Sequence, residues 1–509
     1  MSGRFILASA TMLGLLLGSG VASAASLVDV HAILRRASGA ADRIQMEERK
    51  FSTLTEIAVV QSRAQDAAGA LATAQQALGT PVAGKAEVAA LSDLSALMAV
   101  QVEAGDRTGA AQTLGQILRL AVLSDKRETV LITVATAQAK GGDVKAALKT
   151  AGTLPVALAR IGAIQAEAGD PLAARAILQQ ALTVAAGTPE RPASATDLAF
   201  IAAAQFKAGD QSGAARTFAE AVRLAAGGPE PASSPLILVT RVRSVVEIAT
   251  AQIWVGDRKG AVSTLAVALR LARAIPVDAP KAGHLTDIAR ALVEAGDSAG
   301  ARRALREARV TADKISDRKE KSAFLLDIAE VQAETGDVKG GVQTLDDLWG
   351  SILKATTQEL IAQGEAQIAR IPEERARAEA KATLSELVAK LKTTTHHTSG
   401  LRLAFSGSSY QLSKLAAIQA KAGDRTEAAG TFQQAVQAVW IPFLGADRFS
   451  LRTVAVLQAE TGDWEGAVAW AGNLLDPEMK AYSLLGAAKG MLKRLGITIC
   501  DFPSTSIGC

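Results

Sequence analysis

Residues 197–226 read DLAFIAAAQFKAGDQSGAARTFAEAVRLAA, and this stretch decides the fold. Leu198, Ile201, Ala202, Gln205 and Ala208 recur at helical spacing, so one side of a first helix is apolar. Gly209 ends that helix by taking the left-handed conformation cheaply. Asp210 follows at once, and its carboxylate can cap a second helix by accepting backbone N–H bonds. Ala214, Phe218, Ala221 and Leu224 mark the buried side of that second helix, and Gly227-Gly228-Pro229 ends it. The unit is therefore helix, tight turn, helix, loop.

The Gly-Asp step returns along the chain at Asp106, Asp143, Asp170, Asp210, Asp257, Asp297, Asp337, Asp424 and Asp463, with a degenerate copy at Gln65-Asp66. Successive Asp residues, counted from Asp66, are 40, 37, 27, 40, 47, 40, 40, 87 and 39 apart. A period near forty marks a repeat array in which each unit packs on its neighbours. The 87 reads as two periods with one copy lost. In the 129–170 stretch the second helix is cut short at Thr153-Leu154-Pro155. The C-terminus repeats that compressed form, and Lys480 to Leu495 is expected to be a last helix that caps the array.

The regular spacing assigns Asp106, Asp170, Asp210, Asp257, Asp297, Asp337, Asp424 and Asp463 as helix caps, one per unit, with no catalytic role. A Gln lies five residues before the Asp in nine copies, including Gln165, Gln205 and Gln252; only the copy at Asp297 departs, with Leu292. These glutamines serve either a contact inside the repeat or a polar ladder along a binding groove. As candidate partner-binding residues we take Gln165, Gln205 and Gln252, together with Trp254 beside the Gln position and Trp440 next to Ile441-Pro442-Phe443-Leu444.

The unit resembles a tetratricopeptide repeat. Ile201-Ala202, Gly209-Asp210, Ala214, Phe218 and Ala221 match that family's order and spacing, and the match extends over most of 50–495. Two features depart from it. The period is near forty, against about 34 for the family, and Gln holds the first-helix position usually given to Tyr. The resemblance implies an all-α, right-handed solenoid of about ten helix-turn-helix repeats, whose concave surface binds peptides, helices or folded partners.

Composition agrees with that class. Aromatics are 4% of the chain, and Ala dominates, which favours thin helices packed closely. The formal charge is +4 and is interspersed, so the clustered basic stripe expected of a nucleic-acid partner is missing.

Residues 1–24 read as a secretory signal peptide: Arg4, a short apolar run from Phe5 to Leu17, and Ala22-Ser23-Ala24 as the cleavage pattern. An uncleaved anchor is the alternative. Cleavage removes only Arg4 among charged residues, leaving 54 − 51 = +3. The expected location is periplasmic or secreted, with no transmembrane segment in the mature chain. In an oxidising compartment the only cysteines, Cys500 and Cys509, can close a disulfide, or else stand as free thiols on the tail.

The expected organisation is 1–24 signal peptide, 25–348 N-terminal repeats, 349–412 degenerate repeat and polar hinge, 413–495 C-terminal repeats and capping helix, and 496–509 tail. His396-His397 lack further ligands at metal spacing, and no Gly-x-Ser-x-Gly elbow or Gly-rich phosphate loop is present. No catalytic residue, metal or cofactor is therefore assigned. The expected function is a non-catalytic scaffold for a protein partner. Two alternatives stand beside it: an envelope enzyme with its site in 349–412, acting through His396 or His397, and a solenoid that binds a glycan or anionic ligand.

Overall fold

The structure is a computed structural model, and it describes residues 26–81, 88–121, 127–187, 194–227, 234–348, 409–441, 445–446 and 448–497. Apart from a two-residue pairing of Trp440–Ile441 with Gly445–Ala446, the regular structure of these residues is helical.

The helices form hairpins, each with a first helix A and a second helix B. Repeat 1 is Glu47–Arg63 with Ala67–Leu78, repeat 2 Val88–Glu103 with Arg107–Ala121, and repeat 3 Arg127–Lys140 with Val144–Ala151. Repeat 4 is Pro155–Glu167 with Pro171–Ala185, repeat 5 Ala195–Lys207 with Gln211–Ala226, and repeat 6 Pro235–Val255 with Arg258–Arg273. Repeat 7 is Asp278–Ala295 with Ser298–Ala312, and repeat 8 Arg318–Glu334 with 338–348. Repeat 9 is Ser409–Lys421 with Arg425–Ala438, and repeat 10 Arg448–Glu460 with Trp464–Gly472. Each helix A packs on its own helix B and on the helix A of the next repeat. This is an α-solenoid of helix-turn-helix repeats.

The turn chemistry is local and uniform. Nine motif glycines hold φ between +79° and +107°, a region closed to most side chains. In the degenerate copy Gln65 takes that conformation, at φ 63°. Every motif Asp then accepts the backbone N–H three residues on, at 2.8–3.1 Å, from Gly69 in repeat 1 to Gly466 in repeat 10. That bond satisfies one of the orphan donors that open helix B.

The C-terminal helix Pro477–Arg494 is not a bare cap. It is the helix A of an eleventh repeat, and its helix B is the N-terminal helix Leu27–Ala41. Gly496 has φ 77° and the Ile497 N–H reaches Leu492 O, the same turn that ends every other helix A. Ser26 then caps the N-terminal helix, bonded reciprocally with Asp29, in the position a motif Asp holds elsewhere. One apolar core runs through the junction: Val30, Ile33 and Leu34 share a cluster with Leu484, Leu485 and Leu492. Burying each of those three side chains contributes roughly 1.5–3 kcal/mol. The N-terminal and C-terminal helices thus complete one hairpin, and the described residues form a solenoid of eleven repeats that closes on itself as a ring.

Two glycines let the closing helix sit deep. A Cβ on Gly486 would lie 2.6 Å from Arg452 O, and one on Gly490 would press closer still on Val456 O. With the C-terminal helix that near, Arg452 of repeat 10 reaches past it to Glu56 of repeat 1 at 2.9 Å, and Lys489 joins the same carboxylate at 2.6 Å.

The copy and hinge expected in 349–412 fall outside the described residues, except for 409–412, which begin helix A of repeat 9. The repeats on either side are direct neighbours. Lys414 of repeat 9 bonds Asp327 and, at 3.1 Å, Glu330 of repeat 8. The signal peptide, His396, His397, Cys500 and Cys509 also lie outside the described residues. No helix among those described is long and apolar enough to cross a membrane.

Candidate functional site: the inner wall of the ring

The A helices form the inner wall and the B helices the outer one. B helices bury a single stripe, as at Ala214, Thr217, Phe218 and Ala221. A helices bury neighbours on several sides, as at Leu198, Ala199, Ile201, Ala202, Ala203, Ala204 and Gln205. Side chains of A helices two or more repeats apart also act on one another, which only a concave face allows: Arg452 meets Glu56, and the charge of Lys414 is felt at Asp287.

The inward stripe lies three, seven and ten residues before the motif Asp. At the three-residue position stand Arg63, Glu103, Lys140, Glu167, Lys207, Trp254, Glu294, Glu334, Lys421 and Glu460. The first five alternate in sign, and neighbours pair where they meet. Lys207 bonds Glu167 at 3.0 Å, and Lys421 stands 3.7 Å from Glu334. Lys493 of the closing helix bonds Glu460 at 3.0 Å. Trp254 replaces a carboxylate in this belt, and the Lys207 ammonium lies 3.8 Å over its ring, a cation–π contact. The candidate Trp254 is therefore half-buried in the belt. Of Trp440 the structure describes the backbone pairing with Ala446, on the opposite rim.

Deeper in the wall, repeats 7 to 9 are tied by buried ions. Arg290 bonds Glu330 at 3.0 Å and Glu334 at 3.3 Å. Burial alone would raise the Glu330 carboxyl, but Lys414 and Arg290 outweigh it and hold it below its ordinary range. Burial likewise opposes charge on Lys414, and Glu330 and Asp327 reverse that, so its ammonium is held more firmly than usual. His284 sits 3.9 Å from Asp287, with its pKa lowered by burial against the pull of that carboxylate.

The glutamines of the expected ladder face into their own hairpins. Gln252 is buried; its Nε2 donates to the Asp257 cap at 3.1 Å and its Oε1 accepts from Thr264 at 2.7 Å. Gln101 accepts from Thr113, and Gln332 from Thr344, at the same spacing of twelve. In repeat 10 the partner is Trp470, whose indole N–H meets Gln458 at 2.9 Å while Gln458 bonds Asp463 at 2.7 Å. Gln205 is also buried, although Thr217 turns to Gly213 O instead. In repeat 4 the residue twelve after Gln165 is Ile177, and Gln165 is half-buried. As partner-binding residues Gln205 and Gln252 are corrected: they lie inside repeats, and the polar ends of Gln252 are already used.

The sequence carried a signal for this pairing. Thr stands twelve residues after Gln in repeats 1, 2, 3, 5, 6, 8 and 9. In repeat 7, where Leu292 replaces Gln, Ala304 replaces Thr. Among the described residues no group of three or more His, Cys, Asp or Glu is arranged to hold a metal ion.

No protein-family model matches the chain, and no curated protein matches it. Solved structures similar to it include a circular tandem repeat protein with a novel repeat topology, at 14% identity and a TM-score of 0.23, covering 92% of this chain and 97% of that one. Another is the human IFIT1 dimer with m7Gppp-AAAA, at 12% identity and 0.21, covering 80% and 94%. A third is the APC/C hetero-tetramer Cut9-Hcn1, at 12% and 0.19, covering 89% and 98%. At TM-scores this low the likeness carries nothing over to this chain. The fold, read from the chain's own helices, is an α-solenoid of helix-turn-helix repeats.

Proposed function

We propose that the protein is a non-catalytic scaffold, periplasmic or secreted, that binds a protein partner. The repeated polar residues support this reading, because the motif Asp residues cap helices and Gln101, Gln252 and Gln332 bond the Thr of their own hairpins. Between repeats 7 and 9 and at the junction the inward stripe is spent on ion pairs between repeats, which turns that part of the wall away from docking.

One observation carries the choice of surface. Every B-to-A connection leaves from the same rim, where the loops vary in length and insertions concentrate, as they do on the binding face of repeat proteins. On consecutive repeats 9, 10, 11 and 1 that rim exposes Tyr410 (55%), Phe449 (53%), Leu475 (99%) and Met46 (51%). Large apolar side chains aligned across neighbouring units fit a protein surface.

The test is affinity capture from envelope extract with residues 25–509 as bait, beside the same chain carrying Tyr410→Glu, Phe449→Glu and Leu475→Glu. One dominant partner, lost on the triple variant while circular dichroism is unchanged, is the expected result. A partner retained by the variant would move the surface elsewhere. Turnover of a small molecule by the bait would remove the scaffold reading.

A further inference from the structure

The outer wall carries one strong concentration of charge. Helix B of repeat 6, Arg258–Arg273, holds Arg258, Lys259, Arg270 and Arg273 and no carboxylate. Helix B of repeat 7, Ser298–Ala312, holds Arg302, Arg303, Arg306 and Arg309 against Glu307. Eight cations against one carboxylate leave a balance of +7 on two helices, where the whole chain carries +4. No other helix B exceeds +2, and that of repeat 8 falls to −1 with Lys339, Asp346 and Asp347. The cap Asp before each helix B is common to repeats 1 to 10, so it leaves the comparison unchanged.

One period separates the two groups in sequence, so they do not read as a stripe there; packing sets them side by side. The Arg273 guanidinium donates to both oxygens of Glu307 on the next helix, at 2.8 and 2.6 Å. At the other end Arg258 lies 4.0 Å from where a Cβ on Gly296 would stand, in the turn that opens helix B of repeat 7. All of the eight cations but Arg309 are exposed. The ion pairs of this face are Arg273 with Glu307, and Arg309 with Asp313 and Asp347. The other six cations bond no carboxylate among the described residues.

The chemistry and shape of the face select its partner. The cations run from end to end of a 16-residue helix, about 24 Å, so they meet a surface and not a single ion. Neither helix holds an aromatic residue, Asn or Gln. That leaves out base stacking and base-edge contacts, and equally the aromatic anchors of protein interfaces. Val310, exposed, continues the Arg303 and Arg306 stripe at helical spacing and lines an open cleft with Arg273, Lys281 and Arg306. Arginines that fork onto phosphate, with an aliphatic side chain among them, match the headgroup level of a bilayer. In a closed ring each outer helix is turned from the plane of the next, so a flat partner lies against a narrow strip of the wall, and the charge is confined to such a strip.

We propose that the outer wall of repeats 6 and 7 docks the ring on an anionic membrane surface, with the arginines on lipid phosphates and Val310 at the interface. The rim of repeats 9, 10, 11 and 1 lies farther round the ring and stays free for a protein partner. The inference does not depend on that partner.

The test sediments residues 25–509 with vesicles of equal parts phosphatidylcholine and phosphatidylglycerol, and with vesicles of phosphatidylcholine alone. The anionic vesicles should carry the protein down and the neutral ones should not, and binding should weaken as salt rises from about 50 to about 500 mM. Lys259→Gln, Arg270→Gln, Arg303→Gln and Arg306→Gln together remove four cations that stand outside ion pairs. At about fivefold per charge, binding should fall by at least about a hundredfold, while the melting temperature stays at the parent's. Arg107→Gln, Arg119→Gln, Lys145→Gln and Lys149→Gln together remove the same charge from exposed positions on the B helices of repeats 2 and 3. That variant should keep most of the parent's binding. No binding to anionic vesicles, equal binding to neutral ones, or equal losses in the two variants would each overturn the proposal. So would DNA or polyglutamate held more tightly than the vesicles and released by the first variant, which would assign the wall to a nucleic acid or to an acidic protein.

Discussion

Asp93 shows how one buried carboxyl ties this ring to pH. It lies on helix A of repeat 2, 6% exposed, and burial pushes its pKa up to about 7, which the nearby Ser52 offsets only in part; Glu56 adds to the rise. A carboxyl that is harder to ionise folded than unfolded favours the fold while it is protonated. Its contribution is complete below the unfolded value near 3.8 and is lost as pH climbs to about 7. Each pKa unit corresponds to about 1.4 kcal/mol. Asp93→Asn keeps the size of the neutral form and removes the titration. We expect urea unfolding to show the variant more stable than the parent at pH 8 by a few kcal/mol, in line with about 1.4 kcal/mol per unit, and the difference to fade at pH 4. A constant difference across that range would mean that Asp93 is already ionised in the fold.

At the level of the element, the Gln252–Asp257–Thr264 linkage ties the hairpin of repeat 6 into a unit. Removing Gln252 alone strands the Thr264 hydroxyl and takes a donor from the Asp257 cap. Gln252→Leu should therefore cost about 1–3 kcal/mol. Gln252→Leu with Thr264→Ala copies the Leu292/Ala304 pair of repeat 7, so the double variant should recover much of the loss. A thermodynamic cycle returning no coupling would show that the two side chains act independently. The closing helix is governed by space instead. At Gly490 an added Cβ meets the Val456 carbonyl and the Ala459 Cβ, and the obstacle is largely backbone. Gly490→Ala should destabilise by about 1–3 kcal/mol through overpacking, whereas Gly39→Ala, with nothing within 4 Å, should leave the melting temperature unchanged or raise it.

Across the whole molecule the decisive contacts are those joining its two ends. Arg49 bonds Glu478 at 2.8 Å, Arg448 bonds the same carboxylate at 2.7 Å, and Glu56 receives Arg452 and Lys489. The buried pair of Lys489 with Glu56 weighs most through what happens when one member is lost, since an uncompensated charge is then left behind. The closure predicts a viable rearrangement. A circular permutant that joins 497 to 26 through a short Gly/Ser linker, with new termini inside 349–408, keeps every described helix contact. It should unfold at a temperature close to the parent's. Deleting 26–45 instead strips the partner from Pro477–Arg494 and should lower the melting point steeply in differential scanning calorimetry. A deletion variant as stable as the full chain would show that the ring does not depend on its junction.

The sequence by itself determined everything that rests on neighbouring residues. Gly209-Asp210 and its copies encode a left-handed residue followed by a cap, a choice made within five residues of backbone, so hairpins, turns and their count near ten are legible in the one-dimensional pattern. The Gln–Thr spacing of twelve is local in the same sense and was there to be read. Which way a glutamine points is not local: the period says that it recurs, and only the packing of helix A on helix B says that it turns inward and is consumed. Closure is further still from the sequence. It depends on small rotations added over ten hairpins, and on an N-terminal helix meeting a C-terminal one, with Glu56 and Lys489 brought together across 433 residues.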